Sequence, residues 1–395
     1  MNVKKLLLSF VMLMVILPFL GSVPASANTE ESPGLISDGR TGILIEVETG
    51  RVLYEKNPDQ KMAPASMTKI MPMLLVMEAL ESGNLEWDEM ITASPHAASL
   101  GGTQIFLQPG EVMSVRDLFK SVAIASANDA VTALGERIAG SEESFVRMMN
   151  DRAKELGMEN TVFKNPTGLS ADGHVTTAAD LAILARHLVT RHPEVLEYTS
   201  MYEDFVRQDS AEPFWLVATN KLVRFVEGVD GLKTGYTTEA GSCLTATAKR
   251  GNMRIVAVLM GCSKADARNQ EMTNLINHAF ASYELVPQME QGTVVTQGYN
   301  MLARNRSFDI VTAQSISTLK GVAEAPAENR EVLISLDENL ELPIQPGDQV
   351  GTLAFFYNSE QTHEIPLTVL EPVERNGFFG LFSHLVSRLL FGDHR

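Results

Sequence analysis

The chain has 395 residues, 45% of them apolar and 21% charged, enough for two or three cores and too apolar for disorder to be its main character. Lysine and arginine total 32 against 49 acidic residues, and the resulting formal charge of -17 repels nucleic-acid phosphate and argues against a nucleic-acid partner. Two cysteines, Cys243 and Cys262, are too few for a disulfide scaffold.

Met1 to Lys5 carry two lysines, Leu6 to Leu20 form an apolar run interrupted by Pro18, and Ala25-Ser26-Ala27 has the small-x-small pattern that signal peptidase accepts. Cleavage after Ala27 is expected, an uncleaved membrane anchor being the alternative. Thr41 to Val47 and Arg51 to Lys56 then read as two strands joined at Thr49-Gly50. Next comes Ala65-Ser66-Met67-Thr68-Lys69, where an apolar helical run begins after Pro64. Helix positions i and i+3 share a face, so Ser66 and Lys69 pair a hydroxyl with an amine. A lysine whose pKa is lowered by burial or by a second cation can take the proton of such a serine. The reading places Ser66 in the first turn of the helix, where its N–H lacks an internal partner and is free to meet an anion. Pro72, inside the same run, is expected to kink it.

Residues 112–140 form another helical region that contains Ser126-Ala127-Asn128. Residues two apart do not share a helix face, so Ser126 and Asn128 act together only from a turn or a helix junction; otherwise they are a polar cap. Phe145 to Leu156 reads as an amphipathic helix ended by Gly157, followed by the turn-rich Asn165 to Leu169 and a helix over Thr177 to Val189. From Phe214 to Cys262 the pattern is strand-like, with Lys233-Thr234-Gly235 bordering a sheet edge. Gly235, without a side chain, allows another backbone to approach, as a peptide substrate pairing with the strand requires. A two-residue turn at Gly251-Asn252 sets Cys243 opposite Met260 and diagonal to Cys262, about 7 Å away. That separation strains a bridge, so two buried free thiols are expected. A helix follows over Gln270 to Tyr283.

Beyond Val286 the chain turns to alternating threonine, valine, glutamine and glutamate punctuated by prolines, a smaller β domain. It holds a second Ser-x-x-Lys, Ser317 to Lys320, which precedes no apolar helical run and is discarded. From Gly377 to Phe391, Phe378, Leu381, Phe382, Leu385, Val386 and Leu389 share one helical face opposite Ser383, His384, Ser387 and Arg388. Too short to span a bilayer, this stretch is expected to lie in the membrane plane, a helix docked on the protein being the alternative. Neither a phosphate loop nor zinc-ligand spacing occurs, and no cofactor is expected.

Ser66-x-x-Lys69, Ser126-x-Asn128 and Lys233-Thr234-Gly235 match, in order, the motif set of penicillin-binding proteins and class A β-lactamases. With Pro64 to Lys69, Asn128-Asp129-Ala130, Glu155 to Met158, Asn165 to Leu169 and Asp230 to Thr237, the chain most resembles the low-molecular-mass D-alanyl-D-alanine carboxypeptidases. The resemblance implies an α/β (α+β) transpeptidase-like fold, an antiparallel sheet flanked by helices. The expected division is a signal peptide (1–27), a catalytic domain (28–285), a small β domain (286–373) and an anchoring helix (374–395). It also implies that Ser66 is acylated, Lys69 takes its proton, and Ser126 relays a proton to the leaving D-alanine. Asn128 would bond the substrate amide, Lys233 and Thr234 the substrate carboxylate, and the N–H groups of Ser66 and Tyr236 would form the oxyanion hole. Stem peptides of peptidoglycan are the implied substrate and β-lactams the implied inhibitors. Some relatives have histidine where this chain has Tyr236 and glycine where it has Ala127. A β-lactamase is the enzymatic alternative, disfavoured because no Glu-x-x-Leu-Asn segment lies between Asn128 and Lys233. A D,D-endopeptidase and a non-catalytic wall-binding protein complete the alternatives.

Overall fold

The computed structural model describes residues 34–377 except 209, 211, 323–329, 338–339 and 358–359. The leader and the helix expected from Gly377 onward lie outside the described residues, apart from Gly377 itself.

Two strands, β1 (Thr41–Glu46) and β2 (Val52–Lys56), form the expected hairpin. Its turn is tied by the buried Glu46 carboxylate, which accepts from the N–H groups of Glu48 and Thr49. A helix, α1 (Ile70–Glu81), carries buried residues on every side from Ile70 to Met77, the pattern of a helix sunk in the core rather than laid upon it. Around it lie α2 (Asn128–Ala139), α3 (Glu142–Glu155) and α4 (Ala178–Arg191). Strands β3 (Val229–Thr237), β4 (Gly241–Arg250) and β5 (Met253–Cys262) then complete an antiparallel sheet of order β2-β1-β5-β4-β3. Helix α5 (Ala265–Ser282) follows.

Strand alternation divides the sheet between two cores. Val256, Val258 and Met260 of β5 join the cluster that contains α1. Ile255, Ala257 and Leu259 join the one containing Met272, Leu275 and Ile276 of α5. The expected turn at Gly251-Asn252 is present, with Arg250 opposite Met253. The cysteine register differs from expectation. A bulge sets Ser242 opposite Cys262 while Leu244 remains opposite Leu259. An extra residue on β5 switches the pleat there, so Cys243 packs with the α1 core and Cys262 with the α5 core. Both are buried free thiols, as expected. Burial pushes Cys243 up to about 11 and Cys262 up to about 12.

Among the described residues after α5, the regular elements are strands. Tyr283–Met289 pairs with Ile316–Gly321, and a second five-stranded sheet is built from Val294–Tyr299, Ser307–Thr312, Arg330–Leu336, Gly351–Tyr357 and Glu360–Val369. A separate apolar core that includes Ile310, Val350, Leu353, Leu367 and Val369 lies beneath it. Ser317 and Lys320 fall on one strand, pairing with Pro287 and Glu284. Positions three apart on a strand face opposite ways, so this second Ser-x-x-Lys forms no hydroxyl–amine pair.

Candidate active site

Ser66 does not sit in the first turn of α1. It lies on a 3-10 turn, Ala65–Lys69, that leads into the helix. This sharpens the motif, because at three residues per turn the side chains of i and i+3 eclipse, stacking Lys69 over Ser66. Pro72 is then the third residue of α1, where N–H groups have no acceptor within the helix, so the kink expected there is not required. Lys69 Nζ lies 3.1 Å from Ser66 Oγ.

Two further groups hold the amine. Nζ donates to Asn128 Oδ1 at 2.7 Å and to the Thr167 carbonyl at 2.6 Å. Lys69 is fully buried, and that burial, reinforced by the Lys233 cation and partly offset by Asp129, holds its pKa well below the usual lysine value. Asn128 therefore has a partner the sequence did not announce. Its Oδ1 meets Lys69 and its Nδ2 donates to the Gly101 carbonyl at 2.6 Å, so a bond to a substrate amide must share or exchange one of these contacts.

Ser126 and Asn128 do meet the junction requirement. A π-helical turn, Ser121–Ala125, ends at Ser126 in the left-handed conformation (φ 69°), and α2 starts at Asn128. Ser126 is buried, and its hydroxyl has no hydrogen-bond partner among the described residues. Leaving such a group unpaired costs about 1–3 kcal/mol, which is the signature of a group held for another task. Asp129, at the N-terminal end of α2, receives the N–H groups of Ile105 and Leu107 and so fixes the loop whose Gly101 and Thr103 carbonyls meet Asn128.

On the opposite wall, β3 is the edge strand of the sheet and runs beside the Ser66 turn. Lys233 is buried, and that burial, followed by the Arg268 cation, pushes its pKa down to about 7. Thr234 Oγ1 donates to Thr219 Oγ1 at 2.7 Å, while Tyr236 is 68% exposed. Gly235 is also required within the chain itself. A Cβ there would lie 3.0 Å from the Pro64 carbonyl and 3.1 Å from the Ala65 Cβ. The backbone that it admits here is the chain's own serine turn.

Sequence reasoning missed Thr167 as a site residue. The turn Asn165 to Leu169 was legible as a turn, yet its carbonyl toward Lys69 has no side-chain signature. The nearest clue was Gly168, whose φ of 83° and contact with Ala65 leave no room for a Cβ.

The comparisons agree with this geometry. The family model described as D-alanyl-D-alanine carboxypeptidase matches residues 27–264, and that of the penicillin-binding protein 5 C-terminal domain matches 283–375. D-alanyl-D-alanine carboxypeptidase DacF of Bacillus subtilis is 42% identical over 95% of this chain and 96% of its own. Penicillin-binding protein 5 of Haemophilus influenzae superposes with a TM-score of 0.71 at 28% identity, covering 86% of this chain and 98% of that one. Penicillin-binding protein D2 of Listeria monocytogenes, solved in its ampicillin-bound form, gives a TM-score of 0.57 at 36% identity over 63% of this chain and all (100%) of that one. With a serine and a buried lysine in contact at its centre and these likenesses over nearly its whole length, the chain belongs to the serine-type D-alanyl-D-alanine carboxypeptidase family.

Proposed function

We propose that this enzyme removes the terminal D-alanine from peptidoglycan pentapeptide stems through an acyl-enzyme on Ser66, and that β-lactams acylate the same oxygen. The observation that carries this reading is the 3.1 Å approach of Lys69 Nζ to Ser66 Oγ with the lysine buried. The Ser66 O–H proton passes to neutral Lys69 as Oγ attacks the carbonyl carbon of the penultimate D-alanine. The oxyanion that forms is met by the N–H groups of Ser66 and Tyr236. The C–N bond then breaks, and the leaving amine takes a proton through the Ser126 hydroxyl. Water hydrolyses the ester and restores Ser66. Lys233, with the Thr234 hydroxyl beside it, supplies the positive potential for the substrate's terminal carboxylate.

The matching test is release of D-alanine from a pentapeptide stem by the wild type and by Ser66→Ala. The variant is expected to release none above background; release at the wild-type rate would remove Ser66 from the nucleophile's role. The pH dependence follows from the two lysines. Lys69 must be neutral to accept a proton, so kcat/KM should climb as pH rises through its depressed pKa. Lys233 must be charged to hold a carboxylate, so kcat/KM should fall again above about 7, through a rise in KM. A profile flat across neutral pH would contradict this assignment.

We also propose that the leader through Ala27 is removed on export and that the C-terminal stretch from Gly377 holds the enzyme on the outer face of the cytoplasmic membrane. The amphipathic pattern of Phe378 to Leu389 supports the anchor. Deletion from Gly377 onward should move activity from the membrane to the soluble fraction; unchanged fractionation would favour a helix docked on the protein.

A further inference from the structure

Lys69 Nζ meets three oxygens, and their chemistry differs. The Thr167 carbonyl and Asn128 Oδ1 can only accept, whereas Ser66 Oγ carries a proton it can donate. A neutral amine has two N–H bonds and one lone pair. If the two obligate acceptors take the two N–H bonds, the lone pair is left facing the serine hydroxyl, which is the arrangement that lets the amine act as a base. The direction of the lone pair thus depends on how firmly the two acceptors are held.

Each is held by a different device. Asn128 is anchored through Nδ2 on the Gly101 carbonyl. The Thr167 carbonyl belongs to a turn that is organised by the side chain of Asn165. Asn165 Oδ1 accepts from the Thr167 N–H at 3.2 Å, the Thr167 hydroxyl at 2.9 Å and the Gly168 N–H at 2.7 Å. Its Nδ2 donates to the Leu169 carbonyl at 2.9 Å. Both ends of this amide are therefore engaged in closing one turn, and the turn leans through Gly168 on the Ala65–Ser66 backbone.

We infer that Asn165 is a positioning residue for the base: by fixing the Thr167 carbonyl on Lys69 it aims the lysine lone pair at Ser66. The inference rests on the acyl-enzyme reading given above. When the serine O–H bond breaks, the new N–H bond on Lys69 forms along that lone pair, and the resulting ammonium has three N–H bonds for the same three oxygens. No group needs to move during the transfer.

The test is stopped-flow acylation of the full chain by a fluorescent penicillin, over a range of pH, for the wild type, Asn165→Ala and Asn165→Asp, with thermal unfolding recorded alongside. Asn165→Ala frees the carbonyl, so its limiting acylation rate should fall about tenfold or more while non-covalent affinity stays near wild type. Its acid limb should move to lower pH, because the ammonium form of Lys69 loses an acceptor. Asn165→Asp retains the acceptor for all three donors but loses the donor to the Leu169 carbonyl, so its limiting rate should fall less than that of Asn165→Ala. Its limb should move to higher pH because the added carboxylate favours the ammonium. Wild-type rates and limbs in Asn165→Ala would overturn the inference, as would equal losses in both variants that follow unfolding and leave the limbs in place. Should Asn165→Ala not fold, Asn165→Gln decides, because it keeps a neutral amide but displaces it by one methylene: a lower limiting rate with the limb at lower pH supports the inference, and a wild-type rate and limb overturn it. A wild type that is not acylated at all would instead mark failure of the acyl-enzyme reading.

Discussion

Exchanging Lys69 for methionine should lower the rate of acylation by penicillin, and of D-alanine release, by roughly 10²- to 10⁴-fold, the range for loss of a general base. Methionine has nearly the length of lysine and brings no charge to bury, so the fold should survive. Two opposing effects bear on stability. Asn128 Oδ1 and the Thr167 carbonyl each lose a donor, at about 1–3 kcal/mol apiece. Against this, a fully buried amine whose charged form is disfavoured by its surroundings is removed. Because these offset each other, the variant separates chemistry from folding. Stopped-flow acylation read beside circular dichroism checks it, and a folded variant acylated at the wild-type rate would show that another group takes the serine proton.

Gly168→Ala should have the larger effect on structure. Its Cβ would lie 1.9 Å from the Ala65 carbonyl oxygen and 2.3 Å from the carbonyl carbon, at a φ of 83°. The obstacle is backbone, so no change of rotamer relieves it, and the left-handed conformation adds about 1–2 kcal/mol for a residue with a Cβ. Either the Ser66 turn or the Asn165–Leu169 turn must shift, and both touch Lys69. Chemical denaturation should show a loss of about 3 kcal/mol or more, accompanied by loss of acylation. Gly83→Ala is the fitting control. It shares the positive φ (72°) but meets nothing within 4 Å, so it should cost only that conformational penalty of about 1–2 kcal/mol and leave acylation unchanged. Equal behaviour of the two variants would mean that the contact between turns carries no weight.

These two positions also show where the sequence was legible. Motif order, the two hairpins and the apolar runs were readable because each is a local pattern: alternation for β5, an unbroken apolar stretch for α1, Gly251-Asn252 for a tight turn. The rejection of Ser317 followed from the same logic, since no apolar helical run comes after it, and the structure adds that a strand turns the pair to opposite faces. What escaped were consequences of backbone placement. The 3-10 turn that stacks Lys69 on Ser66 differs from an α-helix by its hydrogen-bond spacing, which residue types around Ser66 do not announce. The Thr167 carbonyl is a main-chain atom, identical in every residue. The bulge near Cys262 adds one residue to one strand, and a register count without it puts both cysteines on the same face. Gly235 was marked correctly as a place of close approach, but which backbone approaches is a tertiary fact.

In the proposed mechanism Ser66, armed by the buried Lys69, supplies the oxygen that is acylated. Intact-protein mass spectrometry after brief exposure to penicillin tests it most directly, followed by mapping of the modified peptide. The wild type should gain the mass of one penicillin, located on the peptide that contains Ser66, and Ser66→Ala should gain none. An unmodified wild type, or an adduct of equal yield on the variant, would contradict it.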